Sequence, residues 1–502
     1  MLNFARKKSL GIVRRQAALS SVSSYLGAGI GFITVGILFP KFLTTDENGL
    51  FKILMSVATL MAQVSHVGLT KVTVKLFPYF RTEDKKHHGF LFLKFSTCLL
   101  AFSLLSILFF LNRASIIERN IEDSALLVDY LHYILPLAFF TLIFNIFDSY
   151  SRALYRSSVG LLFKDLVQRL LILLCVGLYA LDLINLHQMV NIYTLAVGLP
   201  PLGMLIILWH SGEINLQPDF RFLNKPLLKE IGGLASLGIL TGFTNTLVNN
   251  VDVIMINEFL DLGNTGIYGI TFYFGTLIII PSRALNRIAS TFVAEAWKEN
   301  NLKGIKEIYF KTSINSFIVG SLLFIGIWAN IENVFEILPD EYLAGKYVIF
   351  FIGLGNLIDM SFGVNFNILA TSKHYQWDGI FMGVLVVFLV SSNLIFIPIL
   401  GITGAALASA LSLLLFNFMR FWFLYRKFGL QPFNFQHLKV AALVLLVYLI
   451  QWPLPALQPF YFDIALRSSG MALIFLFFVY RFRLSEDIAG FMDEIFLKIR
   501  KR

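Results

Sequence analysis

Charge is scarce in this chain of 502 residues. Asp, Glu, Lys and Arg make up 14% of it, about half the share found in soluble domains. A water-facing surface for a fold of this size needs more, so a soluble globular protein is excluded. Cysteine is nearly absent. Cys98 and Cys175 both fall inside apolar stretches and offer neither a disulfide framework nor metal-ligand spacing. A nucleotide-binding loop is missing too. Gly27, Gly29 and Gly31 resemble a dinucleotide fingerprint only as letters, because no strand precedes them. No cofactor is expected, and ATP-driven work would require another subunit. The net charge of +10 is divided among short clusters between apolar segments, where membrane topology puts basic residues. Nucleic acid is therefore not an expected partner.

What the chain has is apolar length. Hydrophobic residues make up 57% of it, and the mean hydropathy is +0.73. Windows such as Cys98–Leu111, Leu170–Leu181 and Leu438–Ile450, with their flanks, reach the roughly 20 residues that span a bilayer core. The first apolar stretch, 16–43, follows Arg6, Lys7, Lys8, Arg14 and Arg15. It is too long for a signal-peptide core and lacks a small-residue cleavage pattern behind it, so it reads as a membrane span. The expected fold is all-α and integral to the membrane, with about fourteen transmembrane helices. Their approximate spans are 16–43, 48–70, 89–111, 126–150, 159–181, 187–209, 230–260, 264–290, 309–330, 341–370, 376–399, 401–425, 437–457 and 462–481.

Charge tests the count, because a wrong helix number would invert every later loop. With the N-terminus inside, 34 of the 41 Lys and Arg residues fall in cytoplasmic segments and six outside; Lys94 lies within a helix. That bias predicts fourteen spans with both termini cytoplasmic. The segment 484–502 places Ile488, Phe491, Met492, Ile495, Phe496 and Ile499 on one helical face, followed by Lys498, Arg500, Lys501 and Arg502. It reads as a basic amphipathic tail lying on membrane lipid.

A repeat divides the spans. The turn Phe42-Leu43-Thr-Thr-Asp-Glu-Asn-Gly49-Leu50-Phe51-Lys-Ile53 returns 217 residues later as Phe259-Leu260-Asp-Leu-Gly-Asn-Thr-Gly266-Ile267-Tyr268-Gly-Ile270. Leu154 and Ser157 match Leu369 and Ser372 at nearly the same offset. The expected organisation is two pseudo-symmetric six-helix halves, 1–210 and 230–431, joined by a cytoplasmic linker at 211–229. Two extra transmembrane helices follow in 432–483, then the tail. An even number of helices per half makes the halves parallel, an architecture that places a transporter's substrate between them.

The segment Asn393-Leu-Ile-Phe-Ile397-Pro398-Ile-Leu-Gly401-Ile-Thr-Gly404-Ala405-Ala406-Leu-Ala408-Ser409 resembles the turn between helices 11 and 12 of the Wzx-like polysaccharide flippases. These belong to the multidrug/oligosaccharidyl-lipid/polysaccharide exporter superfamily. Val251-Asp252-Val253 before the Gly266-Ile267-Tyr268 turn, and Gly49-Leu50-Phe51 before Val67-Gly68-Leu69, are similar to further signatures of that family. The second turn departs from the pattern, with Asn264-Thr265 before its glycine. The resemblance implies a non-enzymatic flippase in the bacterial plasma membrane. Its substrate would be an undecaprenyl-pyrophosphate-linked oligosaccharide, such as an O-antigen unit of lipopolysaccharide, moved by alternating access. Partners implied are the lipid-linked oligosaccharide, membrane lipid, and the glycosyltransferases and polymerase of the same pathway.

Such a substrate calls for cationic and amide groups along its path, and ionisable residues within spans are the first candidates. Lys52 lies one step inside helix 2 and either meets substrate or snorkels to the interface. Asn245, Asn249 and Asp252 fall at helical spacing in helix 7 and predict a polar stripe. Arg283 and Arg287, one turn apart after Pro281, are candidates for a pyrophosphate clamp or for positive-inside anchoring. His66 and Asp359 are candidates for coupling, with helix packing the plainer role for the histidine. Asp148 and Arg152 are four apart and read as a structural pair. His87 and His88, beside Lys85 and Lys86, read as a solvated loop. Two other readings stand beside the flippase. A cation-coupled drug antiporter of the same fold would favour acidic residues. A membrane-embedded polymerase or glycosyltransferase would need a large outer loop, and none is expected here.

Overall fold

A computed structural model describes Ser23, residues 26–451 and residues 457–500, except for the side chains of Ser157, Ala284, Arg287, Phe496, Ile499 and Arg500. The N-terminal basic cluster at 6–15, Lys501 and Arg502 lie outside the described residues. Contacts divide the chain into two compact units, Met1–Ile270 and Thr271–Arg502.

The first unit holds α1 (Leu26–Phe42), α2 (Thr45–Ser65), α3 (Leu69–Phe80), α4 (Phe90–Leu111), α5 (Arg113–Asn120), α6 (Ala125–Ala153), α7 (157–180), α8 (Leu186–His210), α9 (Lys225–Val248), α10 (Val251–Phe259) and the start of α11 (Leu262–Thr276). The second holds the rest of α11, then α12 (Ile280–Lys298), α13 (Leu302–Ala329), α14 (Ile331–Ile337), α15 (Lys346–Ser361), α16 (Asn365–Thr371), α17 (Gln376–Leu400), α18 (Ile402–Phe428), α19 (Phe435–Gln451), α20 (Phe460–Arg481) and α21 (Glu486–Arg500). The described regular structure is all helical, as the hydrocarbon core demands of a spanning chain that cannot leave backbone groups unpaired.

Ten helices, and the pair α2–α3 broken by a 42° bend, are long and apolar enough to cross a bilayer. The first and thirteenth expected spans are the shorter apolar helices α1 and α19. The fifth is α7, whose middle turn, Leu162–Val167, is π-helical. Length and composition thus identify eleven crossings among the described residues, where the charge pattern calls for fourteen.

The repeated turn is where the first unit closes on itself. It opens on a capping box, in which the Thr44 hydroxyl accepts from Glu47 N–H and the Glu47 carboxylate accepts from Thr44 N–H. Behind it, the two glycines that correspond in the repeat face each other's helices. A Cβ on Gly49 would sit 1.9 Å from Leu262 O, and one on Gly266 would sit 1.9 Å from Thr45 O. Leu262 is itself the counterpart of Thr45, 217 positions on. The contact is reciprocal, as a two-fold relation between repeats requires. At the bend between α2 and α3, Gly68 (φ +67°) and Gly238 meet in the same way, a Cβ on Gly238 falling 2.2 Å from Gly68 O. Small residues are what let membrane helices approach this closely.

His87 and His88 are not a solvated loop. Nε2 of His87 lies 2.9 Å from Glu213 Oε2, both side chains nearly buried, and Nδ1 of His88 lies 2.9 Å from Asp219 Oδ2. The His88 ring stacks on Phe222 at 3.9 Å, and Lys85 donates to Ser211 O at 2.9 Å. The loop is thereby pinned to the segment joining α8 to α9. The hydrogen bond from His88 holds the exposed Asp219 carboxyl below the usual carboxylate range. A pattern of adjacent polar residues carries no record of the distant carboxylates that receive them.

The glycine seam makes a direct prediction. Gly266→Ala forces two backbones apart and should cost about 1–3 kcal/mol, the usual range for overpacking. Gly177→Ala, at a site with no neighbour within 4 Å, should leave stability unchanged or slightly raised. Thermal unfolding of the two purified variants checks this; equal melting temperatures would contradict the close approach.

Candidate functional site

Two of the residues singled out in the sequence meet in the first unit. Asp252, on α10, is buried at 4% exposure and accepts a hydrogen bond from the Tyr268 hydroxyl at 2.7 Å. Lys52, on α2, is half-buried. Its stem lies along Gly269, where a Cβ would come within 3.1 Å of Lys52 Cγ, and the Asp252 charge acts on its ammonium. Tyr268 belongs to the repeated turn, so its position was legible and its partner was not.

The expected polar stripe on helix 7 is interrupted. The helix ends at Val248 and restarts at Val251, so Asn245 and Asn249 do not continue the face of Asp252. Asn249 Nδ2 donates to Asn245 O at 2.7 Å and Asn250 Nδ2 donates to Thr246 O at 2.8 Å. These amides satisfy the carbonyls a terminating helix leaves unpaired. Arg283 is exposed on α12, and Pro281 sits in that helix's first turn after the 3-10 turn Leu277–Ile279, where a missing N–H costs nothing. The Arg287 side chain lies outside the described residues.

A polar cavity of 310 Å³ opens between α2, α3, α6 and α7, lined in part by Gln63, Thr70, Asn145, Asp148, Arg152 and Lys164. Asp148 and Arg152 form the expected ion pair at 2.5 Å. The Asp148 carboxylate also lies against the backbone of α7, because a Cβ on Gly160 would fall 1.9 Å from its Oδ1. Lys164 comes from the π-helical turn of α7, a distortion that often marks functional positions, and its ammonium stands 5.1 Å from the Phe144 ring centroid. Beside the cavity, Lys94 is buried at 1% exposure and donates to Thr73 Oγ1 at 3.0 Å and to Ser149 Oγ at 2.5 Å. His66 caps α2 at the bend, also 1% exposed. Its Nδ1 lies 3.4 Å from Thr70 Oγ1, and its Nε2 has no hydrogen-bond partner among the described residues. The 34 cytoplasmic cations of the charge count include Lys164, in the segment 152–169, while Lys94 is set aside as a residue inside a helix. The latter was the available signal, since a cation within a span is expensive unless it is used or satisfied.

The second unit buries its own polar centre. Asp359, on α15, accepts from Asn417 Nδ2 at 2.9 Å, and Asn417 Oδ1 accepts from Asn365 Nδ2 at 2.8 Å. One turn beyond Asn417 on α18, Arg420 is buried at 4% exposure. It pairs with Asp378 through NH2 at 2.7 Å and Nε at 2.8 Å and lies 3.7 Å from the Phe416 ring centroid. Arg420 is another of those 34 cations, from the segment 420–439, and the structure places it inside a buried ion pair. Among the described residues no group of three His, Cys, Asp or Glu side chains is arranged to hold a metal ion.

No family model and no curated protein matches the sequence. Solved structures match the backbone. The lipid II flippase MurJ, in an inward closed conformation, aligns with a TM-score of 0.73 at 14% identity, covering 93% of this chain and 100% of that one. The fold is that of MurJ. An inward-facing multidrug resistance MATE family transporter of the MOP superfamily aligns at 0.61 and 14% identity, over 81% of this chain and 94% of its own. A mutant of the Vibrio cholerae MATE transporter VcmN aligns at 0.53 and 10% identity, over 83% and 98%. The all-helical membrane architecture expected from the sequence is thus the MurJ and MATE architecture.

Within this MurJ-like fold the Arg420–Asp378 pair carries a stability prediction. Asp378→Ala leaves a buried guanidinium uncompensated and should cost about 3–5 kcal/mol. A sharp loss of monodisperse, folded protein on size exclusion is the expected result; a variant as stable as the parent would show the pair to be solvated.

Proposed function

We propose that the chain is a flippase that moves a polyprenyl-pyrophosphate-linked oligosaccharide from the inner to the outer leaflet of a bacterial plasma membrane, with both termini cytoplasmic. The observation that carries this reading is the likeness to the lipid II flippase MurJ, which takes in 93% of this chain and the whole of the other. The six, six and two division expected from the sequence and the Wzx-like turn around Gly401 and Gly404 support the same reading, with an O-antigen unit as the glycan. No covalent chemistry is involved. The chain binds, reorients and releases its substrate, and membrane lipid solvates the polyprenyl tail. The glycosyltransferases and polymerase of the same pathway would supply and consume the substrate.

The path would use Lys52, Asn245, Asn249 and Asp252 on the first half and the Arg283–Arg287 face on the second, with His66 and Asp359 as coupling groups. A cation-coupled drug antiporter is the second reading, favoured by the MATE likenesses and by the buried carboxylate of Asp359. The cationic surplus around Arg152 and Lys164 favours an anionic substrate instead.

Deleting the gene in a strain that makes the glycan should cause the lipid-linked oligosaccharide to accumulate on the inner leaflet; normal export would sink the proposal. Complementation with the Arg283→Ala, Arg287→Ala double variant should fail to restore export while the protein still inserts. Unimpaired export by that variant would remove the clamp from the path.

A further inference from the structure

We propose that the cavity between α2, α3, α6 and α7 is a binding site for a phosphate or pyrophosphate group, in which Lys164 and Arg152 hold the anion and Asp148 is the carboxylate it displaces from Arg152. The identity of the physiological carrier rests on the flippase reading above; the site itself does not.

Charge comes first. The cavity wall carries two cations and one carboxylate. A site for a metal ion or an organic cation needs the opposite balance. The donor supply agrees, since an ammonium, a guanidinium, a hydroxyl and the amides of Gln63 and Asn145 offer many N–H and O–H groups against few acceptors. At 310 Å³ the cavity sits at the lower end of the range of about 300–1,000 Å³ typical of small-ligand sites.

Geometry assigns the roles. Lys164 makes no ion pair among the described residues, and the face of Phe144 at 5.1 Å is its close companion. Its charge is therefore positioned without being neutralised by direct contact. Arg152 is about half-exposed while Asp148 is nearly buried. The carboxylate is seated against Gly160, where no other side chain would admit it. The carboxylate is thus the fixed partner and the guanidinium the movable one. A phosphate entering between Arg152 and Lys164 gives Arg152 the bidentate geometry a guanidinium favours. Asp148 holds the place until then and keeps Arg152 from being left without a counter-charge.

The test uses the full-length protein in nanodiscs of zwitterionic lipid, with inorganic pyrophosphate and farnesyl pyrophosphate as probes and calorimetry as the readout. Lys164→Gln and Arg152→Gln should each weaken binding about tenfold, the loss of one charge-assisted contact. Lys164→Arg should retain it. Asp148→Asn should strengthen binding several-fold, because the competing charge is gone while the amide keeps the shape. Lys75→Gln, at an exposed pair with Glu230, should change nothing.

Binding of both probes with this pattern supports the site and shows that the phosphate group suffices. Binding of farnesyl pyrophosphate alone with the same pattern supports it and assigns the anion to a lipid. Failure of the parent protein to bind either probe, equal affinity in Lys164→Gln and the parent, or weaker binding by Asp148→Asn would overturn it. Because binding is read without export, a strain lacking this protein that exports glycan normally would remove the flippase reading and leave this one standing.

Discussion

The first unit depends on the absence of a few side-chain atoms. In a bilayer, helices gain nothing by hiding apolar surface from one another, since lipid solvates it equally well. They associate through close packing and internal polar contacts. Gly49 against Leu262, Gly266 against Thr45 and Gly68 against Gly238 bring α2 and α3 onto α9 and α11 at distances no Cβ would allow. The reciprocity of the first two contacts has a further meaning, because positions that correspond in the repeat also touch in space. The bent pair is thus held at the start of α2 and at the bend itself. The bend lies at Val67 and Gly68, which have positive φ.

The second constraint is that a charge buried within a span is costly unless it has a partner. Arg420 has Asp378 and an aromatic face, Asp463 has Arg467 and Asn333, and Lys94 has two hydroxyl oxygens. These arrangements stabilise by avoiding a penalty and add little of their own. Lys164 differs, with its charge turned to a cavity and a π-helical turn beneath it. Exposure and pairing, more than the mere presence of a charged residue, separate a group that serves the fold from one available to a ligand.

Periodicity and charge made the fold legible. Apolar runs located the helices, and the Gly49–Gly266 register located the seam, because a repeat records symmetry directly in the chain. The site was legible only in part. Lys52 and Asp252 stood out as polar groups in apolar runs and do lie in one cluster. The asparagines of helix 7 stood out equally and serve its termination. Lys164 and Arg420 were hidden among cations that topology alone explained, and His87 and His88 were hidden by their polar neighbours. Arg420, His87 and His88 each depend on a partner more than 40 positions away, and local spacing holds no information on such pairs. The number of spans sits between these cases, since three of the fourteen expected are shorter, distorted or partly outside the described residues.

Taken together, the glycine seam, the cationic cavity and the MurJ-like backbone support the proposal that the chain passes an anionic, lipid-tethered headgroup. The most direct measurement is a flipping assay in proteoliposomes. A polyprenyl-pyrophosphate-linked sugar bearing a fluorophore is placed in both leaflets, and a membrane-impermeant reductant is added outside. Nearly complete loss of fluorescence is expected, as inner-leaflet molecules are carried out and quenched. Loss limited to the outer-leaflet share, as in protein-free vesicles, would contradict the account.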